Sequence, residues 1–281
     1  MEKKLERARI LVEALPYIQR FRGKIMVLKL GGKLFEDEEL LDAFARDIAL
    51  LKEVGIEPVL VHGGGPQLDK MMERMGIKVE KVEGLRATDE QSMEVVEMVL
   101  CGKLNRQLVM KINLVGGKAL GLSGKDGMMI LAKQHFQSEL GAVGVVEKVN
   151  SQLILQLTKS GFIPVIAPVG VDEKGAVYNI NADLAAGAIA GALGAEKLIL
   201  LTDVEGVKNQ KGELLGSLHA GEASRMIKKG IISGGMVPKV QCCLEALRSG
   251  VNKAHIIDGR VAHSLLLEIF TDQGLGTEIY L

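Results

Sequence analysis

The stretch VLVHGGGPQLDKMM, residues 59–72, sets three consecutive glycines between an apolar run and an amphipathic one. Upstream, GIEPVLV reads as a short buried strand with a proline near its start, and downstream Pro66 suits the first turn of a helix. A helix N-terminus with free backbone N–H groups favours anions, phosphate and carboxylate above all, and glycine lets a ligand lie against bare backbone. Alone, such a cluster is more often a tight turn than a ligand site. Its meaning depends on the rest of the chain.

Outward from this junction the pattern alternates strand and helix. KIMVLKLGG (24–32) is a β-rich run that also ends in glycines, and EDEELLDAFARDIALLKEVG (36–55) is a helix with acids in its first turn. DKMMERMG (69–76) continues the helix that follows the glycines. Thr88 with Gln91 forms a capping box for a helix over SMEVVEMVLCGKLNRQLVMK (92–111), where Val95/Val99 and Val96/Leu100 stack at i, i+4. Residues 118–149 read as short strands and turns. A second series follows: helix SQLILQLTKSG (151–161), strand FIPVIAPVGV (162–171), then YNINADLAAGAIAGALG (178–194), strand AEKLILLTDV (195–204) and helix ASRMIKKG (223–230). IISGGMVPKVQCCLEALRSG (231–250), strand NKAHIIDG (252–259), HSLLLEIF (263–270) and GTEIYL (276–281) close the chain. Repeated units of this length imply an α/β fold with a largely parallel sheet covered on both faces, and ligands gather where strand C-termini meet helix N-termini. Ahead of the first strand, Leu5, Ala8, Val12, Leu15 and Ile18 mark an amphipathic helix over residues 3–20.

Composition removes several classes. The 281 residues are 47% hydrophobic, with 34 glycines, enough for one large α/β domain or two lobes. Aromatics make up 3% with no Trp, which argues against stacking surfaces for sugars or single-stranded nucleic acid. Thirty-five basic residues balance thirty-five acidic ones, so no global field recruits nucleic acid or an anionic membrane, and any anion site is local. No apolar run reaches the ~18 residues of a membrane span, and the charged N-terminus lacks the apolar core of a signal peptide, so a soluble cytosolic protein is expected. Cys101, Cys242 and Cys243 have no metal-ligand spacing and read as buried thiols; histidines 62, 135, 219, 255 and 263 are scattered, so no metal site is expected.

Four segments could hold an anion: KLGGK (29–33), HGGG (62–65), NINAD (179–183) and SGGMVPK (233–239). The familiar nucleotide signatures are missing. No G-x-G-x-x-G follows a strand, and ALGLSGKDG (119–127) has Ala119 and Asp126 where a phosphate loop needs Gly and Ser or Thr. No G-x-S-x-G anchors hydrolase chemistry. What remains is lysines with backbone donors. That set suits transfer of a phosphoryl group to a carboxylate, which is ionised at neutral pH and needs no general base. Catalysis then rests on alignment, fixed cations and N–H groups. Lys29 within an apolar strand is costly unless anions meet it. Read singly, Lys239 also fits a helix surface, Asp183 a helix N-cap, and Arg86 a pair with Asp89.

KLGG, VHGGGPQ, GLRATD, NINADLAA, LLTDVEGV and SGGMVPKV, in this order across nearly the whole chain, resemble the amino-acid kinase family. GLR and YNINAD point to its arginine-pathway branch, whose members make an acyl phosphate on the γ-carboxylate of N-acetyl-L-glutamate. The resemblance implies a three-layer αβα sandwich around a central, mostly parallel open sheet. It divides the chain into an oligomerisation helix (1–23), an amino-acid-substrate lobe (24–178) and a nucleotide-binding lobe (179–281). It assigns transition-state stabilisation to Lys29 and Lys239, phosphoryl N–H groups to Gly32 and Gly64, and placement of both lysines to Asp183. Arg86 would grip the substrate α-carboxylate, with Gly64, Gly65 and Asn179 completing that site. Thr202, Asp203, Val204, Gly206, Val207, Ile231, Ser233 and Gly234 would lie under the nucleotide, ATP, which would carry Mg2+ itself. EALPYIQRF and LLLEIFTDQGLGTEI resemble the family's hexameric, arginine-inhibited members, which would put L-arginine against Tyr17, Lys197, Glu268, Gly274 and Gly276. An N-acylated aminoadipate, or another acceptor of the family, differs too little to be separated by sequence. A non-catalytic arginine sensor is the alternative from another class, and intact Lys29, Asp183 and Lys239 speak against it.

Overall fold

The computed structural model describes residues 12–82, 85–272 and 274–281. In chain order the strands are β1 (Ile25–Leu30), β2 (Glu57–His62), the short pair β3 (Lys81–Val82) and β4 (Leu85–Arg86), β5 (Ala119–Ser123), β6 (Ile130–Gln134) and β7 (Val143–Val149). They continue with β8 (Ile163–Ala167), β9 (Val169–Val171), β10 (Val177–Ile180), β11 (Lys197–Thr202), β12 (Ser217–His219), β13 (Lys253–Asp258) and β14 (Thr277–Tyr280). The helices are α1 (Leu15–Phe21), α2 (Glu38–Glu53), α3 (Gly65–Arg74), α4 (Glu90–Val96), α5 (Asn105–Leu114), α6 (Gln152–Lys159), α7 (Ala182–Leu193), α8 (Ala220–Lys228), α9 (Met236–Arg248) and α10 (Ser264–Phe270).

Eight strands form one sheet in the order β12-β14-β13-β11-β1-β2-β8-β5. From β13 to β5 all neighbours are parallel, and β14 turns antiparallel to β13 at one edge. The period of two sorts β1 between two layers. Met26, Leu28 and Leu30 join Leu41, Phe44 and Ile48 of α2, Leu108 of α5 and Leu265 of α10. Val27 joins Val59 and Val61 of β2, Ile189 of α7 and Val240 of α9 on the other face. Helices therefore cover both faces, giving the expected three layers. Lys29 has the parity of Val27, so the same alternation aims it at the α7 layer.

Beside the sheet, β10, β7, β6 and β9 close into a small barrel. Here the expected strand 162–171 breaks in two. Pro168 cannot donate to a ladder; β8 stays in the main sheet, while β9 pairs with β10 and β6. Within YNINADLAAGAIAGALG, Tyr178–Ile180 belong to β10 and α7 starts at Ala182. The lobe boundary expected at 178/179 thus falls inside a strand.

Two further expectations change. Asp89, not Thr88, caps α4, its carboxylate accepting from Ser92 N–H at 2.8 Å. Thr88 is instead buried and tied to the barrel edge, its N–H donating to Leu140 O at 2.9 Å and its carbonyl accepting from Ala142 N–H at 2.6 Å. The helix over 92–111 is also not uniform: between α4 and α5, Glu97–Leu104 is π-helical. Of the amphipathic helix read over 3–20, residues 3–11 lie outside the described residues, and α1 carries the rest.

Candidate active site

β1 and β2 are parallel neighbours with Leu30 opposite His62, so their glycine endings emerge side by side at the C-terminal edge of the sheet. Gly63 N–H donates to Leu30 O at 2.8 Å, and Gln67 Nε2 holds the Gly32 carbonyl at 2.8 Å. Gly64 is the N-cap of α3, with proline in the first turn as expected. The demand for glycine here comes from the protein itself. A Cβ on Gly64 would stand 2.4 Å from Leu104 Cδ1 and 2.5 Å from Leu100 Cδ2, both on the π-helical segment. One on Gly32 would stand 2.8 Å from Pro66 Cδ. The two glycine turns and the π segment are packed backbone to side chain, and Gly32, Gly64 and Gly65 line the cavity in front of them.

Opposite those turns, α7 starts at the end of β10. Asn181 caps it, its side chain accepting from Asp183 N–H at 2.8 Å and from Leu184 N–H at 3.3 Å. Asp183 is therefore not the cap, and its carboxylate is available to the lysines. Lys29 Nζ lies 2.7 Å from one oxygen and Lys239 Nζ 3.1 Å from the other. Lys29 and Asp183 are each 8% exposed. Burial opposes ionisation of Asp183, but the two ammonium charges outweigh it and hold its pKa below the ordinary carboxylate value. Cys242 backs this cluster, its thiol donating to the Asp183 carbonyl at 2.9 Å and pushed by burial up to about 12, so it is an inert thiol.

Arg86, at the end of β4, is buried and pairs with Asp69 of α3 rather than Asp89. Its Nη2 also donates to Gly65 O at 3.1 Å. Asp69 is the residue that sequence reasoning missed, because the pair joins a helix to a strand 17 positions away. Asn179 Nδ2 donates to Thr88 Oγ1 at 3.2 Å, and Thr88 Oγ1 donates to Arg86 O at 2.8 Å, linking barrel to hairpin. Lys29, Gly32, Gly64, Gly65, Arg86, Asn179 and Asp183 line one cavity of about 220 Å³. Lys239 reaches this set through Asp183.

A second cavity, of about 490 Å³, is lined by Asp203, Val204, Gly206, Val207, Ile231 and Ser233. Thr202 and Gly234 are next in sequence to lining residues but do not line it themselves; the Thr202 hydroxyl donates to Val204 O at 3.0 Å, and Gly234 has a φ of +55°. Asn209 and Arg260, which carried no motif, also line it, as does Met236 of the SGGMVPK segment. Lys33, next to the Gly32 turn, bridges to Asp203 at 2.6 Å. Among the described residues no group of three or more His, Cys, Asp or Glu is placed to hold a metal.

The predicted arginine residues also converge. Tyr17, Lys197, Glu268, Gly274 and Gly276 line a cavity of about 750 Å³ between α1, the start of β11 and the loop before β14. Glu268 accepts from Leu275 N–H at 2.7 Å and Gly276 N–H at 3.2 Å. His255, not foreseen from sequence, stands between Lys197 Nζ at 3.0 Å and Glu268 at 2.6 Å. No helix among the described residues is long and apolar enough to cross a membrane.

A family profile described as the amino acid kinase family matches residues 24–258, and the chain belongs to that family. Its curated relatives include the acetylglutamate kinase of Syntrophus aciditrophicus (strain SB), 52% identical over 100% of this chain and 99% of the relative. That of Aquifex aeolicus (strain VF5) is 54% identical over the whole of both. Among solved structures, N-acetylglutamate synthase from Neisseria gonorrhoeae complexed with coenzyme A and N-acetyl-glutamate superposes with a TM-score of 0.87 at 28% identity. The superposition covers 98% of this chain and 63% of the synthase, so this chain spans less than two thirds of that protein's length. The same synthase complexed with coenzyme A and L-arginine gives a TM-score of 0.83 at 27% identity, covering 97% of this chain and 65% of the synthase.

Proposed function

We propose that this chain is an ATP-dependent kinase that phosphorylates the γ-carboxylate of N-acetyl-L-glutamate, giving N-acetyl-L-glutamyl 5-phosphate and ADP in cytosolic arginine biosynthesis. The observation that carries this reading is Asp183 clamped between Lys29 and Lys239, facing two glycine turns across one cavity. A γ-carboxylate oxygen attacks the terminal phosphorus, and the bond to the bridging oxygen breaks, leaving ADP. No proton has to move, because the nucleophile is already ionised. The obstacle is repulsion between two anions. Lys29 and Lys239 would neutralise charge on the transferring oxygens, Gly32 and Gly64 would donate N–H groups to it, and Asp183 would hold both ammonium groups in place. Arg86, oriented by Asp69, would take the α-carboxylate with its planar fork, alongside Gly64, Gly65 and Asn179. The nucleotide would lie over the Thr202–Val207 and Ile231–Gly234 segments with Mg2+ on its own phosphates.

The cavity around Glu268 and Lys197 supports feedback inhibition by L-arginine; a hexamer built from dimers is part of the same reading through the resemblance alone. A buried carboxylate suits a guanidinium, and a lysine suits an α-carboxylate. The Neisseria synthase, which shares this fold over about two thirds of its own length, is solved in complexes with N-acetyl-glutamate and with L-arginine. Measuring ADP release with N-acetyl-L-glutamate, glutamate, N-acetyl-aminoadipate and carbamate tests the acceptor. Turnover is expected with N-acetyl-L-glutamate, and activity on another acceptor alone would overturn the assignment.

A further inference from the structure

His62 ends β2 and is fully buried, one residue before the glycine turn. Its Nδ1 lies 3.0 Å from the Gly63 carbonyl oxygen, and its Nε2 lies 3.2 Å from Asn105 Nδ2. Phe35 packs edge-on against the ring at 5.7 Å.

The direction of these contacts follows from Asn105, also fully buried, the residue at which the π-helical segment gives way to α5. Its Nδ2 faces the Val165 carbonyl at 2.9 Å and the Leu122 carbonyl at 3.3 Å. Turning the amide over would set Oδ1 against two carbonyl oxygens, so the nitrogen stays on this side. An amide nitrogen cannot accept, so a proton on His62 Nε2 would face a donor, and Nε2 is the unprotonated ring nitrogen. The His62 proton is then on Nδ1 and donates to the Gly63 carbonyl. That carbonyl belongs to the same planar peptide unit as the Gly64 N–H. Fixing the oxygen fixes the direction of the N–H.

We propose that His62, held in its Nδ1–H form by Asn105, is a positioning residue that aims the Gly64 N–H at the transferring phosphoryl group. This rests on the phosphoryl-transfer reading above. The π-helical segment supplies the geometry. It brings Leu100 and Leu104 onto Gly64 and delivers Asn105 to His62 in the same turn, a use such segments often have at functional sites. Gly121 keeps the space open, since a Cβ there would stand 1.9 Å from Asn105 Oδ1. Burial holds the His62 pKa down at about 4, so the donor stays uncharged at neutral pH.

Two measurements test this on the full-length chain. Nitrogen-detected NMR of histidine-labelled protein should show a neutral Nδ1–H tautomer for the resonance that disappears in His62→Asn. Steady-state kinetics of folded His62→Leu should show kcat reduced by about 10- to 100-fold, the scale of a misdirected donor, with both KM values within about twofold. His62→Asn places an amide donor near the position of Nδ1 and should regain most of the lost kcat. An Nε2–H tautomer, a folded His62→Leu with wild-type kcat, or Leu and Asn variants equally impaired would overturn the proposal. The tautomer needs no turnover, so a wild-type chain inactive on every acceptor would remove the proposed reaction and leave this network to be decided by NMR.

Discussion

Two clusters of buried charge stand at opposite ends of neighbouring strands. Lys29 is near the C-terminal end of β1, and Lys197 opens β11, paired in register with Met26. Around Lys29 the cations Lys29, Lys239 and Arg86 meet the carboxylates of Asp183 and Asp69, so positive charge is in excess. Around Lys197 the balance inverts: Lys197, Lys253 and Arg20 face Glu196, Glu268, Glu278 and Asp272. The same residue types, in opposite excess, fit one cavity for anions and the other for a cation that carries an anionic end. In each, one buried carboxylate organises its cations: Asp183 in the first, and in the second Glu268, which reaches Lys197 through His255. Burial resists ionisation of both carboxylates and neighbouring donors overcome it, so both pKa values lie below the ordinary range.

The harshest way to break this comparison is Asp183→Asn. Two ammonium groups then lose their shared anion, and kcat should fall by about 10² to 10³, the scale of an electrostatic stabiliser lost from a dry site. Arginine binding, measured by calorimetry, should survive, because the second cluster keeps its own carboxylates. Loss of both properties together would show that the clusters are one network. Gly64→Ala comes next. Its Cβ runs into Leu100 and Leu104, so stability should drop by about 1 to 3 kcal/mol as well as rate, on the order of 10². Pairing it with Leu104→Ala should restore part of the stability, as neighbours that share a space are not additive. Rate restored in step would make this glycine a packing requirement alone. In the second cluster Glu268→Gln should weaken the proposed arginine inhibition by about 10-fold or more, since a hydrogen bond to a charged group contributes about 1.5 to 3 kcal/mol. The readout is the ratio of rates with and without arginine.

What could be read from sequence divides along the range of the interactions. The three layers follow from local periodicity, because β1 and β2 are short apolar runs and α2 and α7 carry apolar faces. Lys29 stood out because a charge in such a run has to be explained. Local rules failed where a distant contact competes with them. Thr88 had the spacing of a cap, yet the barrel took its backbone groups and Asp89 did the capping. The 95/99 and 96/100 pairs spelled an ordinary helix, but the approach of that segment to Gly64 accompanies a π turn that no period in the sequence records. Asp69 beside Arg86, and Asn105 beside His62, join elements far apart in the chain, so neither pair leaves a spacing to find. The glycines at 63–65 were legible as a strand-to-helix junction, while the atoms that exclude side chains from Gly64 are leucines that no local pattern brings there.

The smallest effect separates the two buried histidines. His62 and His255 are both held neutral by burial, but His62 donates to a backbone carbonyl whereas His255 contacts the Glu268 carboxylate, which favours its charged form. The folded His62 pKa of about 4 lies below its ordinary 6.5, so between these values the unfolded chain binds more protons. Its contribution to stability is therefore complete above 6.5 and lost as pH falls toward 4. From pH 7.5 to 6 that loss amounts to roughly 0.8 kcal/mol. His255 has the same sign, and its slope should be shallower because Glu268 offsets part of the burial. Urea unfolding across this range should show the pH slope flattening more in His62→Asn than in His255→Asn. The reverse order would mean that Glu268 does not shield His255 from its burial, and that the second cluster is organised by its lysines instead.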